Sequence, residues 1–217
     1  MLKYKAEIKG DIFMIKNYIF DFGNVLARFN PDELTEIYVK DEAYRKTVSE
    51  IVFDRLYWDR LDDGSITDDE VKQAFCKRLP KELHESACLV YDGWVGLKTP
   101  IDGMQKLVAD IKAQGGKLYL LSNISIGFAE NYHKNGWVNE LFSLFDGLVF
   151  SGPIGIVKPD RKIFEHLLKL YNLKAEECIF IDDSLKNIVG AENVGIKGYL
   201  FDGDAGRLRK ELNIPEI

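Results

Sequence analysis

Apolar and polar residues follow two different rhythms along this chain. Asn17-Tyr-Ile-Phe-Asp21 is a short apolar run of β-formers that ends in an acid. The glycine-containing segment Phe22-Gly-Asn-Val-Leu26 follows it, so a buried strand and its C-terminal loop are predicted here. From Pro31 to about Gly96 the spacing becomes helical and highly charged, with helices predicted at 31–39, 43–61, 67–79 and 82–91. Thr67-Asp-Asp-Glu70 has the form of a capping box, an acceptor side chain at the cap and Glu70 reaching back to it. After Thr99-Pro100, helix and strand alternate. Helices are predicted at 101–114, 126–135, 159–171, 185–193 and 205–212, and strands at 117–122, 148–151, 178–182 and 198–201. Alternation of this kind predicts an α/β fold, a Rossmann-like parallel central sheet flanked by helices. The core is expected from 16–27 and 97–217, with a small all-helical insert at 28–96 after the first strand. Residues 1–15 form an N-terminal extension with no assigned role.

Three of the predicted strands end in polar groups: Asp21, Ser122 and the pair Asp182-Asp183. In an open parallel sheet, ligands bind outside the carboxyl ends of the strands near the switch in strand order, so these ends mark the candidate site. Asp21 with Asp182-Asp183 offers hard oxygen ligands suited to Mg²⁺, which takes a few carboxylates together with water and phosphate. The plainer alternative for Asp182-Asp183 is a strand end leading into the cap of the next helix, with Asp183 or Ser184 as capping residue. Lys158 lies in Gly155-Ile-Val-Lys-Pro-Asp160, just before a predicted helix N-terminus, where an ammonium and free N–H groups would suit a phosphate. Its alternative is a solvated loop lysine. Ser122-Asn123 offers a hydroxyl and an amide that can hold a phosphoryl oxygen, or else a strand-to-helix cap.

The chain has 217 residues and a formal charge of −6, giving no basic field for nucleic acid or an anionic membrane. No segment approaches a membrane span or a signal peptide, so a cytoplasmic protein is expected. Cys76, Cys88 and Cys178 are too scattered for a disulfide framework or a zinc site and read as reduced packing residues. His84, His133 and His166 are isolated. Trp58, Trp94 and Trp137 read as packing, although the aromatics of Phe53-Asp-Arg-Leu-Tyr-Trp58 would line a pocket if that helix lies over the site.

Together these pieces resemble the haloacid dehalogenase superfamily, whose four motifs are matched in order across about residues 16–201. Phe20-Asp21-Phe-Gly-Asn-Val-Leu26 looks like the nucleophile motif, Leu121-Ser122-Asn123 the serine motif, Lys158-Pro159 the lysine motif and Asp182-Asp183 the acidic motif. The details resemble the branch of α-D-glucose-1-phosphate phosphatases and the phosphatase-like N-terminal domains of epoxide hydrolases. The resemblance implies that Asp21 attacks a small phosphate monoester and forms an aspartyl-phosphate. It implies Mg²⁺ held by Asp21, the Gly23 carbonyl and Asp183 with help from Asp182, substrate oxygens held by Ser122, Asn123 and Lys158, and the insert acting as a cap. A monomer or homodimer is expected.

Most phosphatases of this superfamily carry a second Asp two positions after the nucleophile, where this chain has Gly23. Asp54, Asp59, Asp62 and Asp63 in the insert are candidates to replace it, and a sugar 1-phosphate, whose leaving group needs little protonation, is the favoured substrate. Two other readings share the nucleophile. One is a metal-independent 2-haloacid dehalogenase, against which the acidic pair argues; the other is a catalytically weak protein that binds a phosphate ligand. A receiver-type switch fails on motif order and on the large insert.

Overall fold

The computed structural model describes residues 5–8, 11–96 and 99–216. Five parallel strands form the central sheet: β3 (Asn17–Phe20), β4 (Lys117–Ser122), β5 (Gly147–Phe150), β6 (Cys178–Asp182) and β7 (Lys197–Leu200). Their order is β5-β4-β3-β6-β7, so β3 is central and the chain reverses direction across the sheet between β5 and β6. The α/β expectation is met. Alternation along each strand sorts the side chains onto two faces. Tyr18, Phe20, Leu118, Leu120, Ile179 and Ile181 join one core. Ile19, Tyr119, Leu121, Cys178 and Phe180 join another, against α10 (Arg161–Leu170) and α11 (Leu185–Glu192). On the first face lie α6 (Met104–Ala113) and α12 (Ala205–Glu211), through Met104, Leu107, Val108, Ile111 and Leu208.

Between β3 and α6 the chain is helical: α1 (Pro31–Tyr38), α2 (Glu42–Val52), α3 (Arg55–Asp62), α4 (Asp68–Cys76) and α5 (His84–Gly96). The predicted capping box at Thr67 forms, with the Glu70 N–H donating to Thr67 Oγ1 and the Thr67 N–H donating to Glu70 Oε2. The single helix predicted at 43–61 is instead two. Asp54 breaks it by accepting a hydrogen bond from the Leu56 N–H, an N-cap that neither glycine nor proline announces. The helix predicted at 126–135 likewise ends early, α7 being Ile126–Asn131. Asn135 then caps α8 (Gly136–Phe142), a helix that the residue spacing does not predict. A short α9 (Ser151–Ile154) follows β5. Within the N-terminal extension, β1 (Lys5–Ile8) and β2 (Asp11–Met14) pair as an antiparallel hairpin.

The helical segment leaves and re-enters the sheet region at one place. The Arg28 N–H donates to Thr99 O (2.8 Å) and the Ile101 N–H to Leu26 O (3.1 Å). Ala27 forms a bridge with Pro100 and another with Gly23, tying this crossing to the loop after β3.

Candidate active site

Register alone brings three strand ends level. Phe20 pairs with Leu120 on one side and Ile181 on the other, so the residues that follow, Asp21, Leu121 and Asp182, emerge together. The Asp21 N–H donates to Ile181 O (2.9 Å), carrying the ladder one step past β3. Asp21, Asp182 and Asp183 each offer a carboxylate oxygen, and these atoms lie within 4.8 Å of one another.

A lysine holds this cluster together. Lys158 Nζ is 2.8 Å from Asp21 Oδ1 and 2.8 Å from Asp182 Oδ2, with its side chain only 1% exposed. It is therefore no solvated loop lysine. Burial pulls its pKa down, but the two carboxylates outweigh burial and hold it above the ordinary lysine value, so the ammonium stays charged. Burial likewise pushes Asp21 up to about 6; Lys158 opposes that shift and the charge of Asp182 adds to it.

Asp182 is fully enclosed and saturated. Besides Lys158, its oxygens accept from the Ser184 N–H (2.8 Å) and from Asn187 Nδ2 (3.1 Å to each oxygen). Ser184, the N-cap of α11, receives no side-chain cap bond, so the cap expected from Asp183 or Ser184 does not form. Asp182 takes the capping contact, and Asp183 stays exposed at the cavity. Ser122 is buried beside Asp21. Ser125 rather than Ser122 or Asn123 caps α7, its Oγ accepting from the Phe128 N–H. Asn123 pins the lysine loop: its Nδ2 donates to Lys158 O (3.0 Å) and its Oδ1 accepts from the Lys158 N–H (2.8 Å).

These residues open into a cavity of about 190 Å³ lined by Asp21, Gly23, Ser122 and Asp183 from the sheet side. From the helical side come Trp58, Asp62 and Trp94, with Phe29 from the crossing. Trp58 and Trp94 pack edge to face at 5.0 Å between ring centroids, and Phe29 lies 5.5 Å from Trp58. Two of the three tryptophans thus face the cavity as well as packing. Of the four acids singled out in the helical segment, three have structural partners. Asp54 caps α3 and pairs with Arg78 (2.7 Å), Asp59 pairs with Arg55 (2.5 Å), and Asp63 accepts from the Ser65 N–H (2.8 Å). Asp62 alone among them lines the cavity.

The donor set fits a small hard divalent cation. Three carboxylates converge, Lys158 pairs with two of them, and a Cβ built on Gly23 would meet nothing within 4 Å, leaving that backbone open to the cavity. Carboxylate oxygens without thiolate or imidazole favour magnesium over softer metals.

A parallel sheet whose switch point gathers a strand-end acid, a serine, a buried lysine and an acidic pair under a helical segment defines a hydrolase of one family. The chain belongs to the haloacid dehalogenase-like hydrolases, whose family model matches residues 15–195. It is 30% identical to a sesquiterpene phosphatase of Aspergillus oryzae over 183 residues, 84% of this chain and 88% of that protein. It is 25% identical to a D-ribitol-5-phosphate phosphatase of Bacteroides thetaiotaomicron over 208 residues, 93% of this chain and 98% of the other. A haloacid dehalogenase family enzyme from the same bacterium, solved with magnesium and inorganic phosphate, superposes with a TM-score of 0.69 at 21% identity. That superposition covers 89% of this chain and 98% of its counterpart. Among the described residues no helix is long and apolar enough to cross a membrane.

Proposed function

We propose that the protein is a magnesium-dependent phosphatase that hydrolyses a small phosphate monoester through an aspartyl-phosphate on Asp21. The observation that carries this reading is the cluster of Asp21, Asp182 and Asp183 around the buried Lys158 ammonium. A dianionic phosphoryl group beside three carboxylates would be repelled without positive charge, and the site is built to gather it. Asp21, the Gly23 carbonyl and Asp183 would hold the cation. When bound, it supplies a Lewis acid that neutralises phosphoryl charge and brings phosphorus within reach of Asp21. Asp182, with its oxygens already engaged, orients Lys158.

Asp21 attacks phosphorus as the nucleophile, splitting one difficult displacement into two easier ones. Lys158 and the Ser122 hydroxyl stabilise the equatorial oxygens, so catalysis is largely positioning and electrostatics. Asn123 keeps Lys158 in register through its paired hydrogen bonds. Residues 28–96 act as a cap over the core of 16–27 and 97–217, excluding bulk water during phosphoryl transfer. The walls of Phe29, Trp58 and Trp94 suit a compact leaving group with an apolar face, such as a sugar ring. Glucose 1-phosphate is the favoured candidate because its anomeric leaving group needs little protonation. The phosphatases among the relatives, acting on a sesquiterpene and on ribitol 5-phosphate by name, support the reaction class.

A screen of sugar phosphates, phosphoglycolate, isoprenyl phosphates and nucleotides, with and without magnesium, tests the proposal. Chelator-sensitive phosphate release that is abolished by Asp21→Asn is expected, with glucose 1-phosphate cleaved faster than glucose 6-phosphate. Activity that persists in Asp21→Asn overturns the nucleophile, and halide release without metal would restore the dehalogenase reading.

A further inference from the structure

Cleaving a phosphate ester leaves an alkoxide that must be protonated, and the water that later attacks the aspartyl-phosphate must lose a proton. The loop after β3 offers no acid for this, since position 23 is glycine. The other groups at the site are committed. Asp21 is the nucleophile, Asp182 is saturated by Lys158, Ser184 and Asn187, and Lys158 is pinned between two carboxylates. Asp183 belongs to the cation. One further carboxyl among the described residues lines the cavity: Asp62, on the opposite wall at the C-terminal end of α3.

We propose that Asp62 is the general acid and base of the reaction. The inference rests on the phosphatase reading. In the first half, the Asp21 carboxylate forms a bond to phosphorus as the ester P–O bond breaks. The bonding pair goes to the leaving oxygen, and Asp62, entering as the neutral acid, gives that oxygen its proton. The alcohol departs and Asp62 is left as carboxylate. In the second half, water attacks phosphorus, its proton goes to Asp62, and the bond between Asp21 and phosphorus breaks. Inorganic phosphate, the Asp21 carboxylate and neutral Asp62 are restored.

Three features support the role. Asp62 is held in place: Gly64, two residues on, has φ +72° and packs so closely on the Gly152 carbonyl of α9 that a Cβ there would collide. Its oxygens have a favourable setting, because burial pushes its pKa up to about 7; Arg55 and Lys158 oppose this while Asp59 and Asp21 add to it. A group that is half protonated near neutrality can both donate and accept. Finally, a Cβ built on Gly23 would meet nothing within 4 Å, so that position leaves room for a group reaching in from the opposite wall.

The test compares wild type, Asp62→Asn, Asp62→Glu and Asp62→Asn with Gly23→Asp on two esters: the best alkyl phosphate from the screen and p-nitrophenyl phosphate. Asp62→Asn is expected to lower kcat on the alkyl ester by about 10²–10⁴-fold. On the nitrophenyl ester, whose leaving group departs without a proton, it should give a rapid stoichiometric burst and then slow turnover, with aspartyl-phosphate detectable by mass spectrometry. Asp62→Glu and Gly23→Asp should each recover part of the loss, and the fall in wild-type rate above neutral pH should vanish in Asp62→Asn. Wild-type turnover by Asp62→Asn on the alkyl ester overturns the proposal. An equal loss on both esters with no burst also overturns it, since that pattern marks misplacement of substrate. An active wild type silenced by Asp21→Asn but indifferent to Asp62→Asn rejects this inference alone; a wild type inert toward every ester rejects the phosphatase reading and this inference with it.

Discussion

Lys158 sits where two buried carboxylates would otherwise repel, and removing it has a definite cost. In chelator, Lys158→Ala is expected to lose about 3–5 kcal/mol of stability, because Asp21 and Asp182 are left enclosed without a counter-charge. Urea unfolding checks this, and a loss below about 1 kcal/mol would mean that water or rearrangement replaces the ammonium. Asp62 runs the opposite way. Its folded pKa, about 7, lies above the ordinary 3.8, so the folded state holds the proton more tightly than the unfolded chain. Ionising it therefore opposes folding, and stability falls as pH rises between these two values. Asp62→Asn should match wild type at pH 4 and be more stable at pH 8. Allowing for partial solvent screening, the gain is about 1–2 kcal/mol, read as a higher Tm. A variant that gains stability while losing turnover separates function from folding. Asp21, Ser122, Lys158 and the pair Asp182-Asp183, which the structure brings together, all stand out in the sequence, because each closes a strand or opens a loop with a distinctive neighbour. Asp62 is visible only as one of four nearby acids. What singles it out is that Asp54, Asp59 and Asp63 find partners in a cap, an ion pair and a turn, which is a matter of three-dimensional packing.

At the scale of elements, the sheet is the most legible part. Buried parallel strands are near-continuous apolar runs bounded by polar ends, and β3, β4 and β6 all read that way. The helical segment is less so, because its breaks are made by side chains that bond their own backbone. Asp54 divides one predicted helix into two, and Asn135 starts α8 where no glycine or proline signals it. The division at Asp54 matters for the site, since a continuous helix would point Trp58 and Asp62 elsewhere. The contact between Gly64 and Gly152 then fixes the far end of α3. Gly64→Ala is expected to cost about 1–3 kcal/mol, through the left-handed backbone and the collision with Gly152. It should also lower kcat more than it raises KM, as Asp62 shifts away from the leaving oxygen. Thermal unfolding and steady-state kinetics test both parts; an unchanged Tm would show that α9 yields to the added methyl.

For the molecule as a whole, the proposed cation site would couple binding to folding. Magnesium at a hundredfold excess over its dissociation constant should raise Tm by about 5–10 °C, because the unfolded chain has no preformed site. Asp183→Asn should remove most of that increase, and an equal shift in the variant would place the ion elsewhere. The chain's excess of acids over bases adds a general preference for cations, so the comparison belongs at fixed ionic strength. The crossing between the helical segment and the sheet adds something local chemistry does not. Ala27 bridges Pro100 on one side and Gly23 on the other, while Leu26 and Arg28 bond the returning chain at Ile101 and Thr99. Both routes out of the core pass through this one short ladder, and its next rung is the backbone of the nucleophile loop. Swinging the helices away would work like a lever with its fulcrum beside Gly23, transmitting force to the carbonyl proposed to face the ion. If residues 28–96 act as the proposed cap, its movement and the loading of the proposed metal site would be a single mechanical event.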